Sequence, residues 1–211
     1  MGGAWDRLPA ALREGVAASV AEYERVRPAL EAVTEDARRS IGDIFAEGDV
    51  HPLFVTARTK SVASFREKAS RVLEGVDGEP ALEFPQPLRD LHDLVGVRVI
   101  VGLPHEVREA ANLIKRRRQQ FDCRADREKD IGSVESGTYG YSSRHLILRT
   151  RQSDVVREYQ RLLGGGVRPN GNYMFEVQIR TILAHAWSEI EHDVRFKNVD
   201  DRAWSPYLDR Q

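Results

Sequence analysis

A single cysteine, Cys123, leaves no internal disulfide within reach, which points to a reducing, cytoplasmic setting and leaves Cys123 itself a bystander among charges. No apolar run approaches the roughly 20 residues that a membrane-spanning helix needs. No basic-then-apolar leader opens the chain, and Asp6 stands where a myristoylation signal wants Ser or Thr. Charge of one sign is missing too: 32 Lys and Arg against 33 Asp and Glu leave a formal charge of −1. The chain is therefore no polycation built to coat nucleic acid, and any basic site must be local. No repeat of solenoid type is present. What remains is a charge-rich globular sequence of 211 residues, 41% hydrophobic. That is enough to bury a core as one domain, or one domain with a helical appendage, and too apolar for a disordered chain.

Leu8, Leu12, Val16 and Val20, then Leu30, Val33, Ile41 and Ile44, recur at helical spacing, which predicts two helices between Trp5 and Phe45, or one kinked at Pro28. Gly48 and His51-Pro52 end that region, and Leu53 to Thr56 reads as a short strand. Ser61 caps a helix expected to reach Leu73, and Gly75 to Pro87 is a Gly/Pro-rich connection. After a short polar helix, the β-branched run Val95 to Val101 predicts a central strand. Pro104 opens a helix that ends in Lys115-Arg116-Arg117-Arg118, either a solvated, dipole-complementing end or a local basic patch. A polar, Gly-rich stretch from Gly132 to Gly140 leads into a strand, Arg144 to Leu148. Val155 to Leu163 is a helix stopped by three glycines, and the alternation of Tyr173, Phe175, Val177 and Ile179 is a strand running into a helix from Ile182 to Phe196. The alternation of elements predicts an α/β (α+β) layer architecture, a small sheet flanked by helices, with helical N- and C-terminal segments.

Four constellations could carry chemistry. Asp93, just before the central strand, and Glu176, inside the last one, are carboxylates at positions suited to Mg²⁺, which takes oxygen ligands from one or two carboxylates together with phosphate and water. Glu176, Gln178 and Arg180 share one face of their strand, as a ligand row or as the solvated side of an edge strand. Arg58, Lys60, Arg66, Lys68 and Arg71 form a basic series in which Ser64, Lys68 and Arg71 lie along one helical face, a polyphosphate cradle or a soluble surface. Gly140-Tyr141-Ser142-Ser143-Arg144-His145 offers a ring to stack on a base, with hydroxyl and imidazole groups beside it, or is an ordinary loop entering a strand. His185, Glu189 and His192 fall at a spacing that suits zinc as well as simple helix-surface pairs.

Taken in order, the segments Arg58 to Lys68 (RTKSVASFREK), Asp93 to Ile100 (DLVGVRVI), Gly140 to His145 (GYSSRH) and Phe175 to Thr181 (FEVQIRT), with Trp187 and Glu191-His192 trailing, resemble the synthetase domain of the RelA/SpoT family, in particular its small single-domain alarmone synthetases. The resemblance implies a nucleotidyltransferase-like mixed sheet and transfer of pyrophosphate from ATP to the 3′-hydroxyl of GTP or GDP, making (p)ppGpp alarmones. It divides the chain into an N-terminal helical segment, residues 1–49, a synthetase domain, 50–197, and a tail, 198–211. By analogy with matching family positions, Arg58 and Arg98 sandwich the adenine, and Lys60, Ser64 and Lys68 hold the ATP phosphates. Asp93 and Glu176 bind Mg²⁺, Glu176 also activating the acceptor hydroxyl. Tyr141 stacks on the acceptor base, and His145 and Gln178 line its side of the cleft.

One segment departs from the family pattern. Small members often carry a Lys- and Pro-containing stretch with an Asn before the Gly-Tyr; residues 129–139 here read KDIGSVESGTY, with no Lys after position 129. The acceptor side accordingly stays open to the tRNA 3′ end or an adenosine nucleotide, as in toxic relatives, with Lys115 to Arg118, Arg124 and Arg127 the natural place for an RNA backbone. A homo-oligomer and an antitoxin partner are likewise left open. The reading from another class is an inactive nucleotide-binding interaction module that kept the fold.

Overall fold

In the computed structural model the described residues are 3–74, 78–131, 141–151, 153–164 and 170–188. The chain opens with one helix, α1 (Ala10–Ala46), 37 residues long and continuous through Pro28. Val16, Tyr23, Val26, Leu30, Val33, Ala37, Ile41 and Ile44 are buried along it, spaced by threes and fours on either side of the proline, so one apolar stripe binds both halves to the same core. Pro28 itself is exposed. Its lost backbone bond and ring clash cost roughly 3 kcal/mol, less than the stripe recovers at about 1.5–3 kcal/mol for each fully buried large side chain. Pro28→Ala is therefore expected to stabilise the fold by about 1–3 kcal/mol, read as a higher urea midpoint; a lower midpoint would show that the packing of α1 depends on a proline bend.

After α1 come β1 (Phe54–Thr59), α2 (Val62–Ala69), the short strands β2 (Val72–Glu74) and β3 (Pro80–Leu82), α3 (Pro87–Asp90), β4 (Val95–Val101), α4 (Pro104–Arg116), β5 (Phe121–Ile131), β6 (Tyr141–Thr150), α5 (Asp154–Leu163) and β7 (Met174–Thr181). The main sheet has the order β1-β4-β7-β6-β5. Only the β4–β7 pair is parallel; the other three pairings are antiparallel. The sheet is thus mixed, as expected. Val95, Val97, Val99 and Val101 of β4, Leu146 and Leu148 of β6, and Phe175, Val177 and Ile179 of β7 join the α1 stripe and Val107, Ala110 and Ile114 of α4 in one core. The other face of the sheet carries the polar side chains of the strands together with Phe54 and the fully buried Ile100, with His185 against Phe54.

Several boundaries differ from the sequence reading. β1 runs on to Thr59 because its pairing with β4 continues to Thr59↔Val95. α2 stops at Ala69, so Arg71 lies beyond it and does not share the face of Ser64 and Lys68. The expected connection from Gly75 to Pro87 contains β3, which pairs back on β2. β5 is not legible as a strand from its sequence: its charges interrupt any apolar alternation, yet ten of its eleven residues pair with β6, Arg124 being passed over at a bulge, and it forms an edge where charge discourages further strand addition. Residues 182–188 are helical, and the rest of the expected helix to Phe196 lies outside the described residues. Among the described residues no helix is long and apolar enough to cross a membrane.

Candidate functional site

Side chains alternate across a strand, and directly paired residues share a face, so the register fixes which groups meet. Arg58 pairs with Gly96 and Thr56 with Arg98. Gly96 pairs in turn with Glu176 and Arg98 with Gln178, while Gln178 pairs with His145 and Arg180 with Ser143. Arg58, Arg98, Glu176, Gln178, Arg180, His145 and Ser143 therefore stand on the polar face, opposite the core. β7 is the middle strand of five, so its polar row is not the solvated side of an edge strand.

One half of the site gathers around Asp93, in the turn before β4. Lys60, just past β1, and Lys68, in the last turn of α2, both donate to Asp93 Oδ2, at 2.7 and 2.8 Å. Ser61 caps α2, its Oγ accepting from the Ser64 amide at 3.1 Å and its hydroxyl meeting Ser64 Oγ at 2.9 Å. Ser64 is exposed at this helix start and Arg58 is exposed on β1. Burial pushes the Asp93 carboxyl up, but the hydrogen bonds and charges of Lys60 and Lys68 outweigh it and hold the pKa below the usual value. Asp93 Oδ1 is buried and accepts no hydrogen bond.

The other half centres on Glu176. His145 Nδ1 lies 2.7 Å from Glu176 Oε1; an ionised carboxylate only accepts, so the ring donates from Nδ1. In the neutral ring Nε2 is then the acceptor for the Ser143 hydroxyl at 3.1 Å. Gln178 Nε2 donates to Glu176 Oε2 at 2.8 Å, and Gln178 Oε1 accepts from Arg180 Nη2 at 2.9 Å. Arg180 Nη1 reaches Ser188 Oγ at 2.8 Å, tying the row to residues 182–188. Burial raises the Glu176 pKa, the bonds from His145 and Gln178 lower it further than burial raises it, and the charge of Asp93 pushes the other way.

Strand register brings Arg58, Arg98, His145, Glu176 and Gln178 to one face of the sheet, and Lys60, Ser64, Lys68 and Asp93 gather where β1 enters α2 and the chain enters β4. Tyr141 opens β6, and its ring lies outside the described residues, as do Glu189 and His192 of the suggested zinc pattern. His185, its third member, turns its ring edge-on to Phe54 at 5.8 Å. Half of the Lys115 to Arg118 run is committed to intramolecular pairs, Lys115 with Asp126 at 2.6 Å and Arg117 with Glu47 at 3.0 Å. Sequence places Arg180 in the polar row and the Ser143 hydroxyl beside the ring of Tyr141; that Ser143 braces His145 and Arg180 braces Gln178 is visible only in the structure. Among the described residues no group of three or more His, Cys, Asp or Glu could hold a metal. Asp93, with a buried oxygen lacking a donor, and Glu176 supply the oxygen ligands that a hard cation takes alongside phosphate and water.

The mixed five-stranded sheet flanked by helices is the nucleotidyltransferase-like fold that the sequence resemblance implies. The sequence model of the region found in RelA / SpoT proteins matches residues 57–201, and the chain belongs to that family. It is 30% identical over 112 residues to the GTP pyrophosphokinase YwaC of Bacillus subtilis (strain 168), a stretch covering 53% of this chain and 45% of YwaC. With the GTP pyrophosphokinase YjbM of the same organism it shares 28% identity over 152 residues, 72% of this chain and 60% of YjbM. The matches thus span about half the length of these relatives. The crystal structure of the small alarmone synthetase 1 from Bacillus subtilis has the same fold, with a TM-score of 0.60 at 23% identity over 83% of this chain and 79% of that one. The same protein bound to its product pppGpp gives 0.53 at 24% identity, over 83% and 80% of the two chains.

Proposed function

We propose that the chain is a Mg²⁺-dependent pyrophosphokinase that moves the pyrophosphoryl group of ATP to the 3′-hydroxyl of GTP or GDP. The observation that carries this reading is the convergence of Lys60 and Lys68 on Asp93 at the entry to β4, the strand paired with the β7 that carries Glu176, cations for a polyphosphate with carboxylates for a metal and a base. In this reading Arg58 and Arg98 hold the donor base between planar guanidinium groups, and Lys60, Ser64 and Lys68 hold its phosphates. Asp93 and Glu176 hold Mg²⁺, which when bound neutralises charge on the transferred group. The acceptor oxygen bonds to the β-phosphorus, the bond from that phosphorus to the α,β-bridging oxygen breaks, AMP departs, and Glu176 takes the hydroxyl proton. His145 and Gln178 keep that carboxylate oriented, and Tyr141 stacks on the acceptor base. Transfer of this kind rests on positioning and charge neutralisation rather than on covalent chemistry by the protein.

The test is the purified chain with labelled ATP and Mg²⁺ against GTP, GDP, ATP and tRNA, separated by thin-layer chromatography. AMP release with label transferred to GTP or GDP is the expected result. Preferential labelling of tRNA or of ATP would move the acceptor assignment to those relatives' chemistry, and nucleotide binding without transfer would make the chain an interaction module. Within that assay, Lys60→Ala and Lys68→Ala are each expected to raise the ATP requirement at least roughly tenfold, because a charge-assisted hydrogen bond contributes about 1.5–3 kcal/mol. An ATP titration unchanged by both would make the basic face a solvated surface only.

A further inference from the structure

Tyr23 lies in α1, outside the region expected to do the chemistry, and is 0% exposed. Its hydroxyl donates to the main-chain carbonyl of Lys60 at 2.6 Å. Its ring stacks on Phe65 of α2, with centroids 4.2 Å apart and planes 10° from parallel. The Lys60 amide donates to the Leu94 carbonyl at 2.9 Å, so the Lys60 peptides are held from both sides, by α1 through the carbonyl and by the residue after Asp93 through the N–H. A second α1 side chain grips the neighbouring position, Thr34 Oγ1 lying 2.7 Å from Thr59 Oγ1. Burial pushes the Tyr23 hydroxyl up to about 12, so it stays a donor throughout the neutral range.

We propose that Tyr23 is a positioning residue for the donor nucleotide: through the Lys60 carbonyl and the Phe65 ring it sets the β1–α2 turn that aims Lys60, Ser64 and Lys68 at one polyphosphate. α1 is then part of the donor site and not an appendage. The inference rests on the pyrophosphokinase reading. The physical cause is entropic: a turn released from α1 samples orientations in which the three phosphate-holding groups no longer converge, and binding must restore the order. The effect falls on ATP and leaves the acceptor side, on β6 and β7, untouched.

Tyr23→Phe removes the hydroxyl and keeps the stacked ring. It is expected to raise the KM and the calorimetric Kd for ATP by about five- to tenfold, the upper part of the range one net hydrogen bond commands. The kcat at saturating ATP and the KM of the acceptor are expected to stay within about twofold of wild type. Thr150→Val is the structural control, since Thr150 Oγ1 donates to the Gly171 carbonyl at 3.0 Å and accepts from the Tyr173 amide at 2.9 Å away from the donor turn. It should lower the Tm at least as much and leave the ATP KM alone. Should Tyr23→Phe not fold, Thr34→Val carries the same expectation in smaller measure. An unchanged ATP KM in Tyr23→Phe with wild-type transfer intact, or an equal KM rise in Thr150→Val, overturns the positioning role alone. A wild-type chain that neither binds ATP nor transfers its pyrophosphate overturns the proposed activity and this inference with it.

Discussion

Glu176→Gln is expected to lower turnover by about 10²- to 10⁴-fold, the range that removal of a positioned proton acceptor produces, while the chain stays folded. The substitution conserves volume but removes the charge. It also puts an N–H₂ group on a side chain whose two oxygens now accept from Gln178 Nε2 and His145 Nδ1. If that group faces Gln178 two donors meet, and if the new amide is turned to face His145 the ring must switch tautomer and donate to Ser143 from Nε2 instead. The variant should therefore lose about 1–2 kcal/mol of stability as well, far too little to explain the loss of turnover. Label transfer and urea unfolding measured on the same preparation separate the two effects. Turnover near wild type with an unchanged Mg²⁺ requirement would remove Glu176 from the chemistry.

The parts of the site that are contiguous in sequence were legible before the fold was known. Asp93, Lys60, Ser64 and Lys68 sit in short segments whose residue types suit a metal and a polyphosphate, and strict alternation around Glu176 announced its polar row. What alternation alone could not decide was whether that row faced solvent at an edge or lined a site. The strand order removes the edge-strand reading, because pairing with β4 on one side and β6 on the other makes β7 central. The same dependence on partners hid β5. A strand of charged residues has no apolar period to read, and it forms because β6 supplies its ladder. The contribution of α1 was hidden for a different reason. Its stripe predicts a buried helix, but nothing local shows that Tyr23 would meet the Lys60 carbonyl 37 residues away. Likewise, Pro28 marks a break that local propensity favours and tertiary packing overrides, since the apolar stripe is complete on both sides of it.

Asp93→Asn is expected to lower transfer about 10²-fold or more, and it carries a pH signature in stability that a side chain acting through its shape alone would lack. Asp93 takes hydrogen bonds from two ammonium groups on one oxygen, and its side chain is only 25% exposed, that of Lys60 only 13%. A neutral amide leaves those two cations facing each other without a counter-charge. The stability lost at neutral pH should be about 2–3 kcal/mol, the scale of hydrogen bonds to charged groups. Because the lysines hold the carboxyl pKa below its ordinary value in the fold, folding favours the ionised form. That stabilisation is fully present above the unfolded-chain pKa of about 3.9 and disappears as pH falls through the lower folded value. Urea unfolding of wild type and Asp93→Asn is therefore expected to show a gap that is constant from neutral pH down to about pH 5 and closes progressively below it. A gap of the same size at every pH would mean that the shape of the Asp93 side chain matters and its charge does not. In that case the pairing of Lys60 and Lys68 with this carboxylate could not be what brings a metal and a polyphosphate to the same site.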